Sequence, residues 1–469
     1  MQVDANISPR STNTASGALA QRRIDSSWLI FVICFSGFLF SLLAFFPGWM
    51  SPDSVGQYND AKLGRYVDWH PVMMAWWWAK LDKLYAGPAL MLMQNLCLYW
   101  GAWCLLAHSL KRSYGNIASL IPLLGFLPGT LYLLGEIWKD VCFATSMFFA
   151  WSILINAYAQ NRGLGWIERT FVLLLSIFSF GVKTNGITAM PFMLYFWIYV
   201  EGWFPKSTLQ RLVTCAVLCV AVVLTATLAV PAKDIVKTSP LQYTKTYDLL
   251  AISVETGDIV LPEYIIERTG TDIEALKKLY IVGSNNPLFY GTYAPIMTTD
   301  ELKLGLLHQA WITAIAKHPK AYIRHRLAHF RELTRFGSPY PATTAAPVIV
   351  DNPWGFSFSA NSFSQWLGNQ PERHPAFFFP WIYILVMLGA IIGLFTMKAH
   401  RLLAFTMGAS AVCFILPHFI IAPASDFRYL YYSYFCSISL TLITALEILR
   451  RTSLIYFRGK EAPLQPHVD

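Results

Sequence analysis

Three aspartates and a histidine fall within one polar stretch, residues 51–71 (SPDSVGQYNDAKLGRYVDWHP): Asp53, Asp60, Asp68 and His70. A carboxylate can take a proton from a hydroxyl, and a histidine beside it can orient the groups involved. Three cations stand in other polar breaks: Lys139 in GEIWKDV, Lys183 in GVKTNG and Arg428 in SDFRYLYY. Arg offers a fork and Lys a point charge, the two common ways to hold a phosphate. A hydroxyl to deprotonate and a phosphate to hold describe group transfer from a phosphate-linked donor to a hydroxyl acceptor.

These residues sit in a chain that is mostly compatible with hydrocarbon. Of its 469 residues 55% are hydrophobic and 13% charged, with a mean hydropathy of +0.43. Soluble domains carry about 25% charged residues. The composition predicts an all-α polytopic membrane protein. Candidate spans are 27–49, 88–109, 115–134, 138–158, 168–181, 185–201, 211–231, 376–397, 402–422 and 428–449, about ten segments of roughly the twenty residues a bilayer requires. The first is long for a signal peptide and lacks a small-residue cleavage site, so it reads as a retained helix.

The basic residues orient these spans. With the N-terminus inside, the inside segments carry Arg10, Arg22, Arg23, Lys111, Arg112, Arg162, Arg169, Lys206, Arg211, Lys398, Arg401, Arg450, Arg451, Arg458 and Lys460. The short outside loops carry only Lys139, Lys183 and Arg428. That bias satisfies the positive-inside rule and accounts for the net charge of +9 without nucleic acid. The expected organisation is a cytoplasmic tail 1–26, a membrane region 27–231 with its first outer loop at 50–87, an outer region 232–375, membrane helices 376–449 and a cytoplasmic tail 450–469.

Within the first outer loop, residues 71–85 (PVMMAWWWAKLDKLY) are too short to span. They suit an amphipathic helix in the interface, with Trp76, Trp77 and Trp78 at headgroup level. In the outer region, Thr298 and Glu301 have capping-box spacing for a helix running to about Lys317. Pro319 opens a second, basic helix that suits the membrane surface, with Tyr322, Leu327 and Phe330 at helical spacing. Residues 337–375 read as loop. All eight cysteines lie in apolar runs, so no disulfide framework is expected.

Simpler roles exist for several of these residues. Asp53 could cap the helix it precedes. Asp60, beside Lys62 and Arg65, suits a solvated surface acid. Asp68 and His70 could shape the turn into Pro71. Lys139 with Asp140, and Asp426 with Arg428, could be local ion pairs. His325 and His329 are four apart, as zinc ligands can be, but no HExxH accompanies them and a solvated face is expected. No P-loop, GxGxxG or GxSxG is present, so ATP-driven, nicotinamide and serine-hydrolase chemistries have no support.

The first-loop aspartate followed by His-Pro, the EIWKD and VKTNG turns, the HPKAYIRHRL helix and the late DFRYLYY together resemble bacterial membrane glycosyltransferases of the C-type superfamily. The resemblance implies a polyprenyl-phosphate-linked sugar as donor, used at the outer face of the inner membrane. The acceptor would be an envelope glycan, a lipid or a protein, and the transfer would invert the sugar. It implies Asp53 as general base, its pKa raised by desolvation, with Asp68 and His70 orienting the acceptor. Lys139, Lys183 and Arg428 would hold the donor phosphate, supported by Asp140, Asn185 and Asp426. Many members carry two adjacent carboxylates in the first loop, whereas Ser54 follows Asp53 here. A divalent cation, magnesium or manganese, is left open, with Asp53 and Asp68 as its candidate ligands. The competing readings are a flippase for lipid-linked glycans and an O-antigen-type polymerase.

Overall fold

A computed structural model describes residues 27–204, 206–290, 296–342 and 347–460. The tail 1–26, with its three arginines, and the last part of the C-terminal tail, 461–469, lie outside the described residues. The described chain is mainly helical, with almost no strand. Its long helices are α1 (Ser27–Phe45), α2 (Pro52–Leu63), α3 (Met73–Asp82), α4 (Ala89–Tyr114), α5 (Lys139–Ala159), α6 (Trp166–Val182), α7 (Met190–Val200), α8 (Thr208–Leu228), α9 (Leu241–Thr256), α10 (Glu301–Lys317), α11 (Pro319–Thr334), α12 (Pro380–Thr396), α13 (Arg401–Ile415) and α14 (Tyr431–Lys460).

Among the described residues, six helical stretches are long and apolar enough to cross a membrane: Ser27–Phe45, Ala89–Phe126, Lys139–Ala159, Thr208–Leu228, Arg401–Ile421 and Phe427–Ser453. Others from the expected set are shorter, including Met190–Val200 and Pro380–Thr396. The segment 115–134 departs most from a regular span. It folds as the 3-10 run Gly115–Phe126, followed by the short turns Pro128–Leu131 and Tyr132–Gly135. Pro122 and Pro128 remove the backbone donors that a continuous α-helix there would need. The tail expected to start at 450 is instead helical to Lys460, continuous with α14.

Around α4 and α5 a large apolar core gathers, with Tyr99, Trp103, Phe148 and Trp151 fully buried or nearly so. A second, smaller core lies within 241–322, built on Leu249, Leu250, Ile265 and Leu276, with Trp69 of the first loop packed against it.

The first loop is held by several short devices. Pro52 opens α2, as a first-turn proline can. Gly64 closes it in the left-handed region, φ 64°, donating its N–H to Asp60 O. Tyr66–Val67 then pairs in parallel with Ile235–Val236. Asp68 Oδ1 accepts from both the backbone N and the hydroxyl of Thr238, at 2.6 and 2.7 Å. Beneath α2, the strand-like residues 49–50 hydrogen-bond to 135–137 on one side and 348–350 on the other. One end of the bundle is thereby stitched from four distant stretches of sequence.

Three local expectations need correction. Asp300, not Thr298, caps α10, its carboxylate accepting from Leu302 N and Lys303 N. In α3, Trp78 is fully buried and donates to Gly87 O, so it packs into the protein rather than at headgroup level. The stretch 337–375 is not all loop, since it contains the helical segments Ser362–Gly368 and Gln370–Arg373.

Candidate functional site

Asp53 sits in the first turn of α2, with Ser51 at the extended N-cap position, so Asp53 is not the cap. The helix start is pinned to the segment before α5. Ser54 Oγ donates to Ile137 O at 2.9 Å, and Trp138 Nε1 donates to Ser51 Oγ at 2.8 Å. The same Trp138 ring lies 4.2 Å under the Arg428 guanidinium, a cation–π contact. Trp138 therefore fixes the start of α2 and the position of Arg428 together.

The expected charged residues meet. Arg428 Nη2 lies 2.7 Å from Asp53 Oδ2 and 3.0 Å from Asp426 Oδ2, and Arg428 Nε is 3.9 Å from Asp140 Oδ2. Asp140 forms a buried ion pair with Lys183, whose ammonium also lies 5.3 Å from the ring centres of Phe414 and Tyr429. Lys139 Nζ is 2.9 Å from His70 Nδ1, and His70 Nε2 is 3.6 Å from Asp53 Oδ1. Lysine has no acceptor, so Nδ1 accepts and the imidazole proton rests on Nε2, facing Asp53. Asn185 Nδ2 is 3.2 Å from His418 Nε2, and His418 Nδ1 is 3.0 Å from Phe414 O. Asn185 thus reaches the same wall through His418, a residue that sequence reasoning did not single out.

The local pairs are only half as expected. Asp426 does pair with Arg428, but Asp140 pairs with Lys183 rather than with its neighbour Lys139. Asp60 is no solvated acid. Its carboxylate accepts Val67 N at 3.0 Å, while Lys62 turns to Asp82 at 3.1 Å.

The electrostatics reverse one expectation. Burial by itself would push the Asp53 carboxyl up, but the Arg428 guanidinium, the His70 hydrogen bond and Lys139 together hold it well below the usual carboxylate range. His70 is held below its ordinary value by burial and by Lys139, against the pull of Asp53. Beside Asp53, the Glu136 carboxyl is pushed up, to about 8, by burial and by the negative charge of Asp53, with Arg428 opposing. Glu136 is 1% exposed and its Oε2 has no hydrogen-bond partner among the described residues. It stands in the GEIWKDV turn, three residues before Lys139, where only its acidic type among hydrocarbon-rich neighbours could have signalled it.

The candidate metal ligands do not form a ready pair. Asp68 is committed to Thr238 and Asp53 to Arg428. Among the described residues no group of three or more His, Cys, Asp or Glu side chains gathers as metal ligands do. As arranged, Asp53 and Asp68 do not fit a shared divalent cation.

A second polar cluster was expected to be solvent-facing and is not. On α11 the buried residues include His325, Arg326 and His329, while Ile323 and Leu327 are about half exposed. Arg326 Nη2 pairs with Asp248 of α9 at 2.6 Å, both side chains fully buried. His325 Nε2 is 3.3 Å from the same carboxylate, and Trp311 Nε1 donates to its other oxygen at 2.8 Å. Arg326 Nη1 donates to Ala422 O at 3.0 Å, and Ser425 N donates to Gly283 O at 2.9 Å. These two bonds anchor the segment 422–425, which leads directly into Asp426 and Arg428.

No protein-family model matches this chain, and no significant match is found among curated protein sequences.

Proposed function

We propose that this chain is a membrane glycosyltransferase of the C-type superfamily, moving a sugar from a polyprenyl-phosphate donor to a hydroxyl of an envelope glycan, lipid or protein. One observation carries the reading. Asp53, Lys139, Lys183 and Arg428 come from four separate parts of the chain and meet at one end of an apolar helical bundle. Such a concentration of charge beside hydrocarbon calls for a function. In this reading about ten segments cross or line the bilayer, with both termini cytoplasmic. The charged end faces outward from a bacterial inner membrane.

The chemistry follows from the pairings. Asp53 is ionised and faces the imidazole N–H of His70. Lys139, which donates to a neutral imidazole rather than to a carboxylate, makes the first contact with the donor phosphate. Arg428 then exchanges its single Nη2 contact with Asp53 for phosphate oxygens, which its guanidinium can hold two at a time. Once Arg428 is shared, Asp53 becomes more basic. The acceptor hydroxyl gives its proton to Asp53 and its oxygen bonds to the anomeric carbon. The bond from that carbon to the phosphate oxygen breaks, and the electron pair leaves with the polyprenyl phosphate. Cations already in place for the developing charge lower the barrier. A single displacement inverts the anomeric centre.

One observation favours a second reading, a flippase for lipid-linked glycans. Lys183 lies in the break between α6 and α7 and is buried against Asp140. Ionisable residues on interrupted helices are a transporter feature. Incorporation of labelled sugar into envelope material by membranes containing Asp53→Asn separates the two. Loss of incorporation with lipid translocation intact supports the transferase, whereas full incorporation in a well-expressed variant removes Asp53 from the chemistry.

A further inference from the structure

Alongside α2 lies a cleft of about 590 Å3, lined by Pro52, Gly56, Asn59, Asp351, Pro353 and Trp354 among others. It is an open groove along the surface rather than an enclosed pocket, a shape that suits an extended ligand more than a small buried one. The lining includes no Lys, Arg or His, whereas the cations gather about Asp53, whose chain neighbour Pro52 lines the cleft's edge. The two substrates of a transfer need two such regions, one for an anion and one for a neutral polyol.

The far wall is a fixed turn. Asn352 Nδ2 donates to Val350 O and Phe356 O at 3.1 and 2.8 Å, and its Oδ1 accepts from the backbone N of Trp354 and of Phe356. Val350 N donates to Met50 O at 3.0 Å, tying the turn to the chain just before α2. Trp354 is half-buried and meets the buried Tyr58 ring edge-on, with centroids 4.7 Å apart. An amphipathic aromatic beside an exposed amide and an exposed carboxylate, Asn59 and Asp351, suits the apolar face and the hydroxyls of a sugar ring. At Gly56 a Cβ would meet nothing within 4 Å, so the near wall leaves open room.

We propose that this cleft binds the acceptor as a neutral glycan, presenting a hydroxyl toward the start of α2. The inference rests on the transfer reading above. Its test uses the full chain in lipid nanodiscs and saturation-transfer NMR. The sugar probes are glucose, galactose, rhamnose, N-acetylglucosamine and their disaccharides, and undecaprenyl phosphate serves as the donor-side probe. Gly56→Trp fills the cleft from a helix position with free space. Gly305→Trp is its control, at a second helical glycine with nothing within 4 Å.

The expected result is saturable sugar binding by the wild type and by Gly305→Trp. Gly56→Trp should weaken that binding about tenfold or more, the scale of one lost anchoring contact, with undecaprenyl phosphate binding unchanged. Equal sugar binding by Gly56→Trp, or none by the wild type, overturns the proposal. Loss of undecaprenyl phosphate in Gly56→Trp also overturns it, since the cleft would then hold the donor. If undecaprenyl phosphate binds Arg428→Ala as well as the wild type, the transfer reading fails instead, and the sugar measurements still judge the cleft.

Discussion

Arg428 and Asp53 stand 375 positions apart in the chain, and their side chains meet at 2.7 Å. The pair joins the first polar loop to the start of the last long helix, over the Trp138 ring. It also sets the charge state of the carboxylate on which the proposed chemistry depends. Asp53→Asn keeps the shape and removes the base, so transfer of labelled sugar should fall on the order of a hundredfold or more. Arg428→Lys cannot serve both Asp53 and a phosphate as a fork does. It should raise the donor KM more than it lowers kcat at saturating donor. In a double-mutant cycle the two substitutions should be clearly non-additive.

The acid dependence of stability follows from the same pair. The Asp53 carboxyl is held low in the fold, so its pairing contributes stability above the unfolded value, about 3.9. That contribution disappears as pH falls through the lower folded value. Asp53→Asn should therefore lower Tm by a constant amount from pH 5 to 8. The difference from wild type should shrink below about pH 4. A difference that instead grows on acidification would contradict the assigned ionisation.

Glu136 has the opposite sign. With its carboxyl pushed up to about 8, the fold keeps the proton while the unfolded chain loses it above about 4.3. The wild type therefore loses stability between those values as pH rises. Glu136→Gln mimics the protonated acid and escapes this loss. Its Tm advantage over wild type should increase from pH 5 to 8 and then level off, read by thermal unfolding in detergent. An advantage independent of pH would show that Glu136 is ionised throughout.

The charged site was legible because a polar residue amid hydrocarbon carries information. Asp53, Lys139, Lys183 and Arg428 each interrupt an apolar pattern, and the positive-inside bias marked the last three as exceptions. Their pairings were not legible. Lys139 has Asp140 beside it in sequence, yet a helix turns neighbouring side chains apart, and Lys183 takes Asp140 instead. The orientation of α11 was lost for a related reason. Its arginine and histidines look like a solvated face until Asp248, on a distant helix, supplies the buried partner. Glu136 and His418 left little signal, since one acid in a turn or one imidazole in a four-residue helix has no period. Several expected spans form shorter or irregular helices where proline breaks the regularity that a hydropathy window assumes, as at 115–134.

The buried Lys183–Asp140 pair makes a prediction about stability that is separate from activity. Both side chains are almost fully inaccessible. Removing Asp140 leaves the Lys183 ammonium buried without its carboxylate, and removing Lys183 leaves Asp140 only the longer contact with Arg428, at 3.9 Å; a fully stranded charge costs about 3–5 kcal/mol. Lys183→Met and Asp140→Leu should each lower Tm strongly. The double variant should recover much of the loss, because an apolar pair of similar volume does not strand a charge. Additive losses would mean that each residue is held mainly by other contacts.

A clamp holds the segment that presents Arg428. Arg326 is held by Asp248 and holds Ala422 O in turn. Gly283, at φ +93°, lets the chain pass close to Ser425, where a Cβ would collide with the Ser425 hydroxyl. Arg326→Lys can keep the ion pair with Asp248 but cannot bridge to Ala422 as well. The segment 422–428 should then loosen without loss of the second core, and Arg428 should hold Asp53 less firmly. Hydrogen exchange should rise across 422–428 and remain unchanged in α9. The donor KM should rise with little change in kcat, and Arg428→Lys combined with Arg326→Lys should add little further. If Arg326→Lys leaves exchange in 422–428 unchanged while lowering activity, the clamp does not act through Arg428.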